Sequence, residues 1–103
     1  MRNYKGMYNP AHPGEVLKEG YLKPLKLTQA EVAELLGVSR KTVSELVNGR
    51  APVTAEMAMR IALVFDSDPG FWLRMQAGRD AWEVHQREKE IRREVTTYAQ
   101  YAA

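Results

Sequence analysis

The sequence contains no cysteine, which excludes disulfides and thiolate metal sites. It also lacks the N-terminal apolar run of a signal peptide, and no stretch approaches the roughly 20 apolar residues of a membrane span. We therefore expect a soluble, cytoplasmic protein without membrane contact. The two histidines, His12 and His85, lie far apart, and neither has metal-ligand spacing with a second ligand. Because phosphate-loop and nucleophile signatures are also missing, we expect no enzyme, no cofactor and no metal site.

A large excess of one charge is missing as well. The 103 residues carry 15 basic and 13 acidic side chains, which gives a formal net charge of +2. This is too small to identify a nucleic-acid partner, so an argument for DNA binding must rest on where the charges point. The length suits one domain with a single core.

Strand-like alternation is absent, and glycine and proline divide the chain into five short helical segments. The first starts with Pro13 in its first turn and is expected to stop at Pro24. The second opens with a capping box formed by Thr28 and Glu31, and Gly37 ends it.

The remaining helices carry similar start signals. The third extends from a Ser39 cap to Asn48, and the fourth starts at a Thr54 cap. The fifth starts at Asp68 and can extend as far as Glu94. The sequence therefore predicts an all-α, five-helix bundle with a long C-terminal helix.

Helices 2 and 3 are separated only by the residues GVS, the turn length of a DNA-reading helix-turn-helix. Gly37 can adopt the left-handed conformation that such a turn needs. Helical spacing places Val43, Leu46 and Val47 on one apolar face of helix 3. The opposite face carries the polar residues Arg40, Lys41, Ser44, Glu45 and Asn48.

Two cations, Arg40 and Lys41, lie in the first turn of helix 3, where the helix dipole disfavours each by about 0.3–1 kcal/mol. In the major groove, the first residues of a recognition helix point towards the base edges. A basic side chain there provides about 1–3 kcal/mol of discrimination, or neutralises a phosphate. We therefore favour DNA binding. The alternative is a solvated face on which Lys41 and Glu45 form an ordinary ion pair.

The stretch LTQAEVAELLGVSRKTVSELVNGR resembles the helix-turn-helix of the Xre/Cro/CI class of DNA-binding proteins. The wider pattern is similar to the HigA family of antitoxins over residues 10–85, through HPGEVLKEGYLKPL, VTAEMAMRIALVFDSDPGFWLRMQ and Trp82. This resemblance implies a lambda-repressor-like bundle. It also implies a homodimer that reads palindromic operator DNA in the major groove, represses its own operon and neutralises a HigB-like toxin, an mRNA-cleaving ribonuclease of the RelE type.

The resemblance implies a DNA-binding role for nine residues. Gln29 would touch the DNA backbone or brace the recognition helix, and Asn48 and Arg50 would clamp a phosphate together with the Gly49 amide. Glu45 would accept a hydrogen bond from a cytosine amino group, or else only screen a neighbouring cation. The nine are Gln29, Ser39, Arg40, Lys41, Thr42, Ser44, Glu45, Asn48 and Arg50.

Large aromatic side chains lie in the fifth helix, at Phe71, Trp72 and Trp82. We expect them both to close the core and to form a twofold dimer interface, where aromatic residues are enriched. Two other functions stay open besides the antitoxin: a stand-alone Xre-type repressor without a toxin, and an interaction module that no longer binds DNA.

We divide the chain into an N-terminal arm (1–11), a helix-turn-helix DNA-binding domain (12–82) and a C-terminal helical extension (83–103). The arm is expected to be frayed. The extension is charged on nearly all sides, which is typical of a solvated helix. The alternative is a contact surface built on Val84, Ile91, Val95 and Tyr98.

Overall fold

The computed structural model describes residues 4–103, so residues 1–3 of the predicted arm lie outside the described part. The described chain is all-helical and has no strand. The helices are α1 (13–25), α2 (Gln29–Leu36), α3 (Arg40–Val47), α4 (Ala55–Phe65), α5 (Pro69–Gln86), α6 (Glu88–Glu94) and α7 (Tyr98–Ala102). The predicted all-α bundle is confirmed, and α2 and α3 form its helix-turn-helix. The long C-terminal helix, which we expected to extend as far as Glu94, is interrupted at Arg87, and the short helix α7 was not predicted.

The helix starts follow the capping signals of the sequence. The Thr28 hydroxyl accepts the Glu31 N–H at 3.1 Å, and the Glu31 carboxylate accepts the Thr28 N–H at 3.0 Å. This backbone donor lowers the pKa of the Glu31 carboxyl. Helices α3, α4 and α5 each have a single side-chain cap, in which an oxygen of Ser39, Thr54 or Asp68 accepts a backbone N–H of the first turn. Each cap satisfies an N–H group that has no partner inside the helix.

Helix α1 continues one residue past Pro24, where we expected it to stop. It consists of an α segment (Pro13–Leu17), a π segment (Lys18–Leu22) and a final α turn (Lys23–Leu25). The widened π turn comes just before Pro24, whose ring would otherwise crowd a carbonyl one turn earlier. The helix ends because Lys26 adopts the left-handed conformation, with φ 56°.

The core is formed by buried residues of all five helices from α1 to α5, and Trp72 is its largest fully buried side chain. The Trp72 side chain is 0% exposed, and its indole N–H donates to the Ser67 hydroxyl at 2.9 Å. Our assignment of Trp72 to a dimer interface was therefore wrong, because a side chain without exposed surface cannot touch a second molecule. Its neighbour Phe71 is 41% exposed, and Trp82 is half-buried.

The N-terminal arm packs on α5, whereas we expected it to be frayed. The Tyr4 and Tyr8 rings lie 5.7 and 4.6 Å from the Trp82 ring, both edge-on. The Arg79 guanidinium donates to the Pro10 carbonyl at 2.8 Å. The described part of the arm is thus held at two places along α5, by ring contacts and by a charged hydrogen bond.

The molecule is elongated, with principal extents of 59 × 22 × 21 Å. All residues from 92 to 103 are exposed, so the end of the C-terminal extension contributes nothing to the core. No helix within residues 4–103 is both long enough and apolar enough to cross a membrane.

Candidate nucleic-acid interface

Helix α3 is attached to the core by one apolar face. Val43, Leu46 and Val47 are buried to 2% exposure or less, as their spacing predicts. The opposite face is open to solvent. It carries the exposed Arg40, Lys41, Thr42 and Asn48 and the half-buried Ser44 and Glu45. An α-helix with this division can present its polar face to the major groove while the core holds the other face.

The turn between α2 and α3 is fixed by a residue of α4. Gly37 has φ 70°, the left-handed conformation expected of it. The Arg60 guanidinium donates to the Leu36 carbonyl at 2.8 Å and approaches the Gly37 carbonyl at 3.4 Å. It thereby satisfies carbonyls at the α2 C-terminus and connects α4 to the turn. Local sequence gives no signal for this role of Arg60, because its partners lie more than 20 positions earlier.

The backbone curls back where α3 ends. Asn48 donates its side-chain amide to the Ser44 carbonyl at 2.8 Å, and the Arg50 N–H donates to the Glu45 carbonyl at 2.8 Å. Gly49 takes φ 70° to make this reversal. The Arg50 side chain is left exposed just beyond the helix end.

The segment after α3 is anchored to α5 by a buried glutamine. The Gln76 side chain is 7% exposed; its carbonyl oxygen accepts the Val53 N–H at 2.7 Å, and its amide donates to Asp80 at 2.8 Å. Both ends of the side chain are therefore satisfied, as a buried amide requires. A lone glutamine in a helix gives no sequence signal for such a role.

The start of α1 packs against the end of α3, and residues of the HPGE sequence make this contact possible. His12 is buried and accepts the Gly14 N–H on Nδ1 at 2.9 Å, so it caps α1. A Cβ atom at Gly14 would overlap the Leu46 carbonyl group. Only glycine allows this close approach, and α1 thereby helps to set the position of the recognition helix.

The cations of this surface have no acidic partner within the described chain. No ion pair within 4.0 Å among residues 4–103 includes Arg40, Lys41 or Arg50, and the Lys41–Glu45 pair of our alternative interpretation is not formed. These cations can therefore meet a polyanion without first breaking an internal pair. Residues 4–103 contain no group of three or more His, Cys, Asp or Glu that could hold a metal ion.

All but one of the predicted DNA-binding residues lie together, and Gln29 lies apart from them. Those from Ser39 to Arg50 lie along α3 and just beyond its end. Gln29 is the first residue of α2 and is half-buried. None of the described side-chain hydrogen bonds involves Gln29, so both alternatives for it stay predictions.

Comparison with known proteins gives consistent matches over most of the chain. Residues 19–72 match the helix-turn-helix family HTH_3. An uncharacterized HTH-type transcriptional regulator, YbaQ, of Escherichia coli (strain K12) is 46% identical over 96 residues, which cover 91% of this chain and 85% of YbaQ. Antitoxin HigA-1 of Vibrio cholerae serotype O1 is 40% identical over 81 residues, covering 79% of this chain and 76% of the antitoxin.

A solved structure shares the fold. The Pseudomonas aeruginosa antitoxin HigA, solved with the higBA promoter, superposes with a TM-score of 0.75 at 31% sequence identity. The match covers 86% of this chain and 98% of that antitoxin.

Proposed function

Because the chain belongs to the helix-turn-helix family, and its relatives include HigA antitoxins as the resemblance indicated, we propose that it is an operator-binding repressor and antitoxin. Its relatives include DNA-binding regulators and antitoxins, and the family is not a known enzyme class. We assign operator binding to the helix-turn-helix domain, residues 12–82. The P. aeruginosa HigA solved with promoter DNA supports this assignment.

A single observation carries the DNA-binding proposal: the first turn of α3 exposes two cations that no acid in the described chain neutralises. Arg40 and Lys41 lie at the end of α3 that enters the groove first in helix-turn-helix proteins. A helix with cations at its positive end gains from an external anion. Operator DNA supplies that anion together with base edges to read.

We propose that two copies bind a palindromic operator as a twofold dimer. Phe71, at 41% exposure, and the half-buried Trp82 are the aromatic residues of α5 that can contribute to such an interface. The two recognition helices then lie about 34 Å apart, which is one turn of DNA.

Replacing Arg40 by alanine is expected to relax sequence preference, reducing the ratio of operator to random-DNA affinity roughly tenfold, because a base-edge contact is lost. Replacing Arg50 by alanine is expected to weaken binding to all DNA to a similar extent and to flatten the salt dependence by about one phosphate contact. Titrations of operator and random duplexes at several salt concentrations measure both effects.

Lys89→Ala is the matched control, because Lys89 is an exposed cation on α6, outside the DNA-binding domain. It should bind operator with the parent affinity and salt slope. Parent-like binding by both the Arg40 and the Arg50 variants would show that the assigned face of α3 is wrong.

We further propose that the chain binds and neutralises a HigB-like ribonuclease toxin. The 40% identity to Antitoxin HigA-1 supports this proposal. A small ribonuclease encoded next to this gene should then co-purify with the full chain and lose mRNA cleavage when bound. If the adjacent product neither binds nor is inhibited, the chain is the stand-alone repressor of our alternative hypothesis.

A further inference from the structure

The C-terminal extension is helical but has little protein to pack against. All hydrogen bonds made by its side chains are local, such as the one from Arg92 to Glu88 at 2.6 Å and the Thr97–Gln100 capping box. Helix α6 has 7 residues and α7 has 5. Isolated helices shorter than about 12–15 residues are marginal in water. A packing partner would therefore stabilise the extension, because only its first turn is covered, where Tyr4 stacks on His85, and every residue from 92 to 103 is exposed.

From residue 81 to residue 95, one side of the end of α5 and of α6 has the alternating three- and four-residue spacing of a coiled-coil seam. We define the seam as Ala81, Val84, Glu88, Ile91 and Val95. Val84 and Val95 are 51% and 58% exposed, so apolar surface is open along it. Two shallow depressions, each of about 370 Å³, flank Ile91 along the seam. Depressions between seam residues are where the side chains of a second helix insert.

The charged residues beside the seam favour one orientation of a second copy. Arg87 and Glu94 border the seam on one side, and Arg92 borders it on the other side. In a parallel pair, Arg87 of one copy would face Arg92 of the other, and the two cations would repel each other. In an antiparallel pair, Arg87 faces Glu94 instead. The bordering charges therefore favour an identical helix in antiparallel orientation.

The antiparallel register follows from the seam. If Val84 lies opposite Val95 of a second copy, Glu88 lies opposite Ile91 of that copy. Arg87 and Glu94, which border the seam, then face each other across the interface. Twofold symmetry makes this Arg–Glu pair occur twice.

Glu88 is the one acidic member of the seam, and it already has partners. Arg92 donates to its carboxylate, which lowers the pKa of Glu88, and His85 Nδ1 lies 3.5 Å away. A partnered polar group at one seam position lowers stability but favours one register over shifted ones.

We propose that the extension is a self-association site at which the seam pairs antiparallel with the seam of a second copy of this chain. The site begins at Ala81, about 15 Å along α5 from Phe71 at 1.5 Å per residue. It adjoins Trp82 of the proposed dimer face and lies apart from Phe71, so it rests on and extends the proposed dimer contact, while its cross-linking test does not require operator binding.

The cysteine-free sequence permits a direct geometric test by cross-linking. Full-length Val84→Cys and Val95→Cys are prepared separately and oxidised alone or mixed. The mixture should form disulfide-linked dimers several-fold faster than either variant alone. In the antiparallel pair these two positions face each other, whereas identical positions lie about 16 Å apart, beyond the reach of about 7 Å for a disulfide.

A mixture of Val84→Cys with Lys89→Cys is the matched control, because Lys89 lies outside the seam. The proposal is overturned if each seam variant cross-links with itself as fast as the mixture does, which indicates parallel pairing. It is equally overturned if the seam mixture is no faster than this control.

Charge reversal tests the Arg–Glu pair independently. In sedimentation equilibrium of the full chain, Arg87→Glu should weaken self-association roughly tenfold, since two attractive pairs become repulsive. The combination Arg87→Glu with Glu94→Arg should restore it, and Lys89→Glu, with the same charge change, should leave it as in the parent. An Arg87→Glu variant that associates like the parent, or a double variant without recovery, excludes the pairing.

The same samples separate this inference from the proposed function. None of these substitutions touches α3, so a single operator half-site should bind them as it binds the parent. Parent-like half-site binding with lost self-association supports the seam. Failure of the parent itself to bind any operator would instead overturn the proposed function and leave the seam result unchanged.

Discussion

Trp72→Ala is expected to lower the free energy of unfolding by about 3–5 kcal/mol, the usual cost of removing a fully buried large aromatic side chain. The Trp72 side chain is 0% exposed and contacts the Tyr21 ring at a centroid distance of 5.5 Å. Its removal also leaves the Ser67 hydroxyl without its indole donor. Since domains are stable by only about 5–15 kcal/mol, this variant should be close to unfolding at physiological temperature.

Phe71→Ala provides the matched control, because it removes the adjacent aromatic ring, which is 41% exposed. It should cost less than half as much stability and should instead weaken self-association. Urea unfolding at one fixed protein concentration, followed by circular dichroism, compares the two variants, since a dimer's stability depends on concentration. If Trp72→Ala unfolded at the parent's urea midpoint, the core assignment would be wrong.

Gly14→Ala is expected to have the second-largest effect, about 3 kcal/mol, at the upper end of the usual overpacking cost. The added Cβ would overlap the Leu46 carbonyl group, and a backbone atom cannot rotate away as a side chain can. The start of α1 must then move off the end of α3. We expect both a lower unfolding midpoint and weaker operator binding at temperatures where the variant is still folded.

Gly20→Ala is the control within the same helix. A Cβ atom at Gly20 meets nothing within 4 Å, so this substitution should stabilise the protein by about 0.5–1 kcal/mol through helix propensity. Operator affinity should stay at the parent value. Equal effects of the two substitutions would mean that Gly14 matters only as a helical glycine and not through its contact with α3.

Local patterns in the sequence were sufficient to predict the helix-turn-helix. Caps such as Ser39 mark where each helix begins, and the 3.6-residue period separates buried Val43 from exposed Lys41. These signals are contained within a few neighbouring residues, so they can be recognised without knowledge of the fold. The identity of the DNA contacts made by the exposed face stays a prediction.

The contacts that hold α3 and the turn before it in place could not be predicted from local patterns. Arg60 and Gln76 act on backbone groups 24 and 23 positions earlier, and nothing local distinguishes them from surface residues. The core role predicted for Trp72 is confirmed, but its additional interface role was wrong, because composition alone cannot separate a core aromatic side chain from an interface one. The arm was misjudged because Tyr4 finds its partner, Trp82, almost at the other end of the domain.

The positions of the two tryptophans provide the chain with two intrinsic fluorophores that report different events. The sequence has 2 tryptophans: Trp72, which is sealed in the core, and Trp82, which is covered by the Tyr4 and Tyr8 rings. Detachment of the arm exposes the Trp82 indole to solvent and shifts its fluorescence emission to longer wavelength. The Trp72 emission changes only when the whole domain unfolds. Comparing the parent with Trp82→Phe thus resolves the two processes without an attached dye.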